Sequence, residues 1–243
     1  MPNFRFPRSH VLIIVTLAVF FMFLAPLTSK ADTPLPDCAD ITSPGVYYLD
    51  NDVNSTGTCF NITSSDVILD CHGHVINGSK VTSTYGIVAV SSAGNEFTNI
   101  TIKNCNTTNW HVGIRFDYVN NSIISNSTSY YNGWRGIRLH SSSNNTLTNI
   151  TANNNVYHGI HLTTSSNNNI LTNITANNNT ENGIFFYSNS NNNVLIKITA
   201  NNNDIGGIAL YASSDNTLTN ITANNNVYHG IHLTTSSNNN ILT

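Results

Sequence analysis

The sequence predicts an all-β solenoid of stacked parallel strands, and three observations predict it. A Gly-Ile pair recurs at Gly86, Gly113, Gly136, Gly159, Gly183, Gly207 and Gly230, in steps of 23 to 27 residues. In the regular units each pair is followed by an apolar residue two past the Ile, a Ser/Asn run, an Ile or Leu, an Ile-Thr-Ala and an Asn triplet. A unit this short cannot enclose its own core, so it must bury its apolar points against the units before and after it. The 243 residues then form one elongated domain rather than two compact ones.

Composition narrows the partners. Only 9% of the residues are charged and the formal net charge is −3, which argues against a nucleic-acid partner, since that calls for a basic face. Polarity comes from Asn, Ser and Thr, while Ile and Leu keep a regular spacing that a disordered low-complexity tract would lack.

At the N-terminus, Arg5 and Arg8 precede an apolar run from Val11 to Pro26, and Ser29-Lys30-Ala31 supplies small residues at the positions a signal peptidase reads. Residues 1–31 therefore read as a secretory signal cleaved after Ala31. An uncleaved anchor is the alternative, because the run approaches the ~20 residues of a spanning helix. No membrane contact is expected beyond this segment. Export makes the cysteines informative: an even number, Cys38, Cys59, Cys71 and Cys105, suggests two disulfides in an oxidising compartment. Three pairings are possible. The expected one joins Cys38 to Cys59 within an N-terminal cap and Cys71 to Cys105 across the first turns, with buried free thiols as the alternative.

Residues 32–60 lack the repeat and carry Pro-Gly and Ser-Thr-Gly turn signals around short apolar segments, so they are expected to cap the first open edge. Residues 61–243 are the coil. Within Gly159–Asn182, Ile160 and Leu162 alternate with His161 as a half-buried strand requires. Ser165–Asn169 and Asn177–Asn179 are bends rich in residues that tolerate left-handed backbone. In register, Ile114, Ile137, Ile160, Ile184, Ile208 and Ile231 form one internal column. Phe116, Leu139, Leu162, Phe186, Leu210 and Leu233 form a second, and Ile124, Leu147, Leu171, Leu195 and Leu218 a third. Asn132, Asn155, Asn179, Asn203 and Asn226 align at a bend, where their amides can bond up and down the stack. Leucine-rich repeats lack their frame here, and helical repeats are disfavoured by the β-branched, Asn-rich units.

The G-I-x-L…S-x-N-N…I-T…N pattern resembles the right-handed parallel β-helix repeat of the pectin-lyase-like superfamily. Within it the chain is similar to the NosD-like, carbohydrate-associated surface repeat proteins. The resemblance covers roughly Ile41 to the end, and ITSPGVYYL…GTC and VILDCHGHVI resemble the start of secreted members. It implies a right-handed single-stranded parallel β-helix of 23–24-residue turns with an N-terminal cap. A C-terminal cap is absent from the sequence, which stops at Leu242-Thr243 in mid-turn. The chain therefore reads as a fragment, or as a coil associating end to end through its last turn. Residues 145–172 and 216–243 are identical and read as a duplication.

No residue set reads as catalytic. The acids of the repeats, Glu96, Asp117, Glu181, Asp204 and Asp215, are scattered, whereas lyase or hydrolase chemistry calls for clustered carboxylates. An active site in residues beyond this sequence is the enzymatic alternative. The expected site is an exposed strip, with Arg115, Arg138 and His161 two past their glycines, Trp134 and Tyr157 two before theirs, and His140 in a neighbouring row. Rings with guanidinium and imidazole donors suit a neutral or acidic glycan, so the expected role is non-catalytic polysaccharide binding at the cell surface or outside the cell. The NosD-like resemblance implies a second class, copper handling. His158 and His161, repeated as His229 and His232, are the candidate ligands, but residues three apart on a strand point to opposite faces unless the glycine between them bends the chain. No cofactor is expected. Asn-x-Ser/Thr sequons such as Asn54, Asn149 and Asn173 fit an exported protein.

Overall fold

The alternation of buried Ile and Leu with outward residues becomes strand, and the Asn/Ser runs become bends. In the computed structural model, which describes residues 32–243, these segments stack as parallel strands in two long sheets and one two-stranded pair. The signal-peptide reading of residues 1–31 lies outside the described residues. One sheet has thirteen strands and the other nine, so the coil makes about nine turns. The nine-stranded sheet, called here the second sheet, carries the Gly-Ile motifs. It includes Tyr85–Val90, Val112–Asp117, Arg135–His140, Ile160–Thr163, Asn182–Tyr187, Gly206–Tyr211 and His229–Thr234.

Register is set by like sitting on like. Ile114 pairs with Ile137, Ile137 with Ile160, Ile160 with Ile184, Ile184 with Ile208 and Ile208 with Ile231. Leu147, Leu171, Leu195 and Leu218 align likewise in the other sheet. Ile114, Ile137, Ile160, Ile184 and Ile208 are fully buried, as expected, and Ile231 is partly buried. Each such side chain removed from water stabilises the coil by roughly 1.5–3 kcal/mol before the entropy cost of ordering it.

The bends explain the Asn content. Asn149, Asn154, Asn168, Asn173, Asn178, Asn192, Asn202 and Asn220 all have φ between 55° and 57°, the left-handed region that Asn tolerates better than most residues. The buried Asn column forms a ladder. The Nδ2 of Asn132 donates to Oδ1 of Asn155 (2.9 Å), and the pattern continues through Asn179 and Asn203 to Asn226 at 3.0–3.1 Å. From Asn155 onward each Nδ2 also reaches a backbone carbonyl, as Asn179 does to Ala152 (3.1 Å), while that of Asn132 donates to the Ser129 hydroxyl, so the amides are satisfied turn after turn. A second ladder runs through Asn169, Asn193, Asn216 and Asn240 at 3.0 Å.

The repeated glycine is required by close approach. A Cβ on Gly159 would lie 2.6 Å from the carbonyl oxygens of Ala152 and Gly183 and 2.9 Å from the Asn179 amide nitrogen. Successive rungs therefore pack tightly only because this point carries no side chain.

Two sequence expectations meet the structure at the N-terminal end. The disulfides are Cys38–Cys59 and Cys71–Cys105, as expected. Residues 32–60, expected as a cap, are themselves coil. Gly45–Leu49 runs parallel between Thr33–Leu35 and Val67–Asp70, and Asp40–Ile41 pairs with Phe60–Ile62. Parallel pairing is made by backbone, so the lack of the Gly-Ile motif does not prevent it.

Candidate functional site

On the second sheet, residues that alternate with the internal columns point outward. Arg115 is therefore on the same face as Asp117, and Arg138 on the same face as His140. The register places Arg115 beside Arg138, Arg138 beside His161, and His161 beside Phe185. Two connected clusters result.

The first is ionic. The Asp117 carboxylate is 5% exposed and accepts from Arg115, and Arg138 reaches the same group at 3.3 Å. Arg115 also donates to the Tyr85 hydroxyl and lies over that ring, 4.9 Å from its centre. Burial opposes the charged form of Arg115, but Asp117 outweighs it and raises the guanidinium's pKa. For Arg138 burial wins and the pKa falls, although Asp117 supports the charge. His140 packs edge-on against Tyr118 at 5.9 Å. Its pKa is lowered by burial and by Arg138, which keeps the imidazole neutral near pH 7.

The second is aromatic. His111 stacks on Trp134 at 5.0 Å, and Trp134 leans toward Tyr157 at 6.0 Å. Tyr157 meets His158 at 4.2 Å, His161 stacks on Phe185 at 5.3 Å, and Tyr187 stacks on Tyr211 at 5.2 Å. Arg135 lies over the Trp134 ring, its guanidinium carbon 3.3 Å from the ring centre. Arg135, Tyr157, His158, His161, Phe185 and Tyr187 line a recess of about 240 Å³. A larger depression of about 480 Å³ near Asn54 and Asn77 has no titratable or aromatic side chain in its lining, and its two asparagines are bonded to each other at 2.8 Å. The smaller recess is the one with chemistry.

Charge in this region is unbalanced. Of three guanidinium groups, Arg115 and Arg138 share the Asp117 carboxylate, and Arg135 has no acid or hydrogen-bond acceptor among the described residues. Burial, reinforced by Arg138, pushes its pKa down to about 9. His158 is driven to about 3 by burial and by Arg135, and His161 is driven well down by the same two influences. Both imidazoles are neutral at pH 7.

The expected strip residues are brought together, but their exposure differs from the expectation. His161 is 5% exposed, and Arg115, Arg138, Trp134, Tyr157 and His140 are half-buried. Rings and guanidiniums on adjacent rungs cover one another, so a column pointing outward becomes a packed layer. The histidine pair also differs: the rings of His158 and His161 lie 5.3 Å apart on one side, and those of His229 and His232 4.3 Å apart. His158 stands before the strand Ile160–Thr163, with a bend at Gly159, whereas His229 lies within the strand His229–Thr234, and the rings meet in both settings. No cluster of three or more His, Cys, Asp or Glu suited to a metal ion occurs among the described residues. Asp117, read from sequence as one of several scattered acids, is the group that ties two arginines together. The Arg115-x-Asp117 spacing on a strand was the signal for it.

The comparisons with known proteins agree with this architecture. A sequence profile described as "Right handed beta helix region" matches residues 45–196 and 163–243. Among solved structures, the chain is similar to the A-module of Azotobacter vinelandii mannuronan C-5 epimerase AlgE4 (TM-score 0.57, 19% identity, 83% of this chain and 55% of that one). It is also similar to pectate lyase Pel9A (0.58, 12% identity, 85% and 67%) and to the enzymatically active domain of bacteriophage CBA120 tailspike protein 2 (0.57, 14%, 87% and 41%). The chain spans about half the length of the AlgE4 A-module it matches, 55%. The comparison with curated proteins returned no match. With its profile matched over most of its length and its strands stacked in register, the chain belongs to the right-handed β-helix family.

Proposed function

We propose that the protein is a carbohydrate-active β-helix protein that seats a polysaccharide along the outer face of the second sheet. The observation that carries this reading is the unbroken track of rings from His111 through Trp134, Tyr157, His158, Phe185 and Tyr187 to Tyr211, bordered by guanidinium groups. Sugar rings present apolar C–H faces to aromatic rings and hydroxyls to the polar groups beside them, and a track crossing several rungs suits a chain rather than a single sugar. Solved neighbours described as a mannuronan epimerase and a pectate lyase support a polysaccharide as the ligand.

Turnover, beyond binding, is a second reading, favoured by solved neighbours described as a mannuronan epimerase and a pectate lyase. The two disulfides support an extracellular or periplasmic setting.

The test is a panel of neutral and acidic polysaccharides, scored for retention by affinity electrophoresis and, by proton NMR, for cleaved, unsaturated or epimerised residues. Retention that drops several-fold in Trp134→Ala and Tyr211→Ala is expected. Equal retention of wild type and both variants would remove the reading, and new NMR signals would establish turnover.

A further inference from the structure

We infer that the recess lined by Arg135, Tyr157, His158, His161, Phe185 and Tyr187 is a subsite for one uronic acid residue, with Arg135 receiving the carboxylate. This rests on the reading that the second sheet seats a polysaccharide, and it names which sugar chemistry that seat selects.

Arg135 is the reason. Its side chain is 7% exposed, its Nε is buried without an acceptor, and no carboxylate reaches it. The acid of the neighbouring rungs, Asp117, is already occupied by Arg115 and Arg138. A buried cation is ordinarily paired, so an unpaired one facing a recess marks the place of an anion that arrives from outside. The guanidinium lies over Trp134, and stacking occupies its face while leaving the in-plane N–H groups for a ligand. A planar carboxylate matches that in-plane fork.

The rest of the lining fits a sugar ring. His158 Nδ1 accepts the backbone N–H of Asn182 at 3.2 Å, which puts its proton on Nε2, and Nε2 is buried with no partner. Both ring nitrogens of His161 are buried and unpartnered, as is Oδ1 of Asn182. These are an unused donor on His158, a donor and an acceptor on His161 and an acceptor on Asn182, groups of the kind sugar hydroxyls engage. Phe185 and Tyr187, 5.8 Å apart, supply the apolar wall. A space of about 240 Å³ suits a single sugar ring, so the remaining residues of a chain would continue over Tyr187 and Tyr211.

The test uses calorimetric titration of the protein with three oligosaccharides of equal length: an oligogalacturonate, its methyl ester and a sulfated neutral oligosaccharide. Wild type is expected to prefer the acid over the ester by roughly tenfold or more, the scale of a charge-assisted hydrogen-bonded pair. Arg135→Gln should bring that ratio close to one, through a larger loss for the acid than for the ester, and Arg135→Lys should fall between. Tyr211→Ala, outside the recess, should weaken acid and ester alike. Removing an unpaired buried charge should leave the melting temperature of Arg135→Gln unchanged or higher, so folding does not confound the result. If wild type binds acid and ester equally, or prefers the sulfated chain, the uronate subsite is wrong while the polysaccharide seat stands. If Arg135→Gln keeps the preference, the assignment of Arg135 is wrong. If no oligosaccharide and no polysaccharide binds, both readings fall together.

Discussion

Residues 145–172 and 216–243 share one sequence, yet their surroundings differ. The first copy has the turn containing Asn182–Tyr187 stacked over it: Leu162 is fully buried, His158 is 2% exposed, and Asn155 sits within the buried amide ladder. In the second copy, among the described residues, Leu233 is 36% exposed, His229 is exposed and Asn226 half-buried. His161 stacks on Phe185, whereas its equivalent His232 has His229 as ring partner and lies beside Ala209 of the preceding rung. The comparison teaches that, in a coil, sequence decides which way a side chain points and the next turn decides whether it is buried.

Paired substitutions at equivalent positions break or sharpen this comparison. Leu162→Ala should cost about 3–4 kcal/mol in urea denaturation and Leu233→Ala about 1 kcal/mol or less, since only the first empties a closed core. Equal losses would show that the two copies are packed alike in solution. Gly159→Ala puts a methyl group against two carbonyls and should destabilise by about 3 kcal/mol, read as a lowered melting temperature. Gly230→Ala meets only Ala223, its nearest atom 2.9 Å away, and should cost about 1 kcal/mol.

Acid adds a third contrast. The folded-state pKa of His158 is depressed below the ordinary imidazole value, so the unfolded chain binds the proton more readily. Its contribution is fully present above about pH 6.5 and is lost as pH falls toward about 3. A melting series should show about 2 kcal/mol of stability lost between about pH 6 and 4.5, and His158→Gln should flatten that limb. The smallest effect belongs to the ladder. Asn155→Ala leaves neighbouring amides unpaired and should cost about 2 kcal/mol, against less than about 1 for Asn226→Ala, with faster amide exchange confined to the adjoining turns.

Much of the fold was legible because its signals are periodic. The Gly-Ile steps, the three apolar columns and the Asn ladder are each a repeated local pattern, and parallel stacking at one register turns such patterns into columns. The parallel pairing within residues 32–60 was less legible for the complementary reason. Its strands pair through backbone, which leaves no mark in side-chain periodicity. The candidate site was legible only in part. Arg115, Arg138, Trp134, Tyr157, His161 and His140 could be placed on one face by counting from the glycines. Their partial burial could not, because it comes from neighbours one rung away covering each other. Asp117 was discounted by looking for acids near acids, when its partners are arginines two residues before it and one rung beyond.

By itself, then, the sequence determined the rung length, the inward columns, the bends and the face that carries rings and guanidiniums, since each follows from local backbone preference repeated at a constant period. Only the tertiary structure decided that Asp117 is shared by Arg115 and Arg138, that Phe185 covers His161, and that Arg135 is buried without an acid. Those facts depend on distances between side chains of different turns, and such distances exist only once the coil has closed on itself.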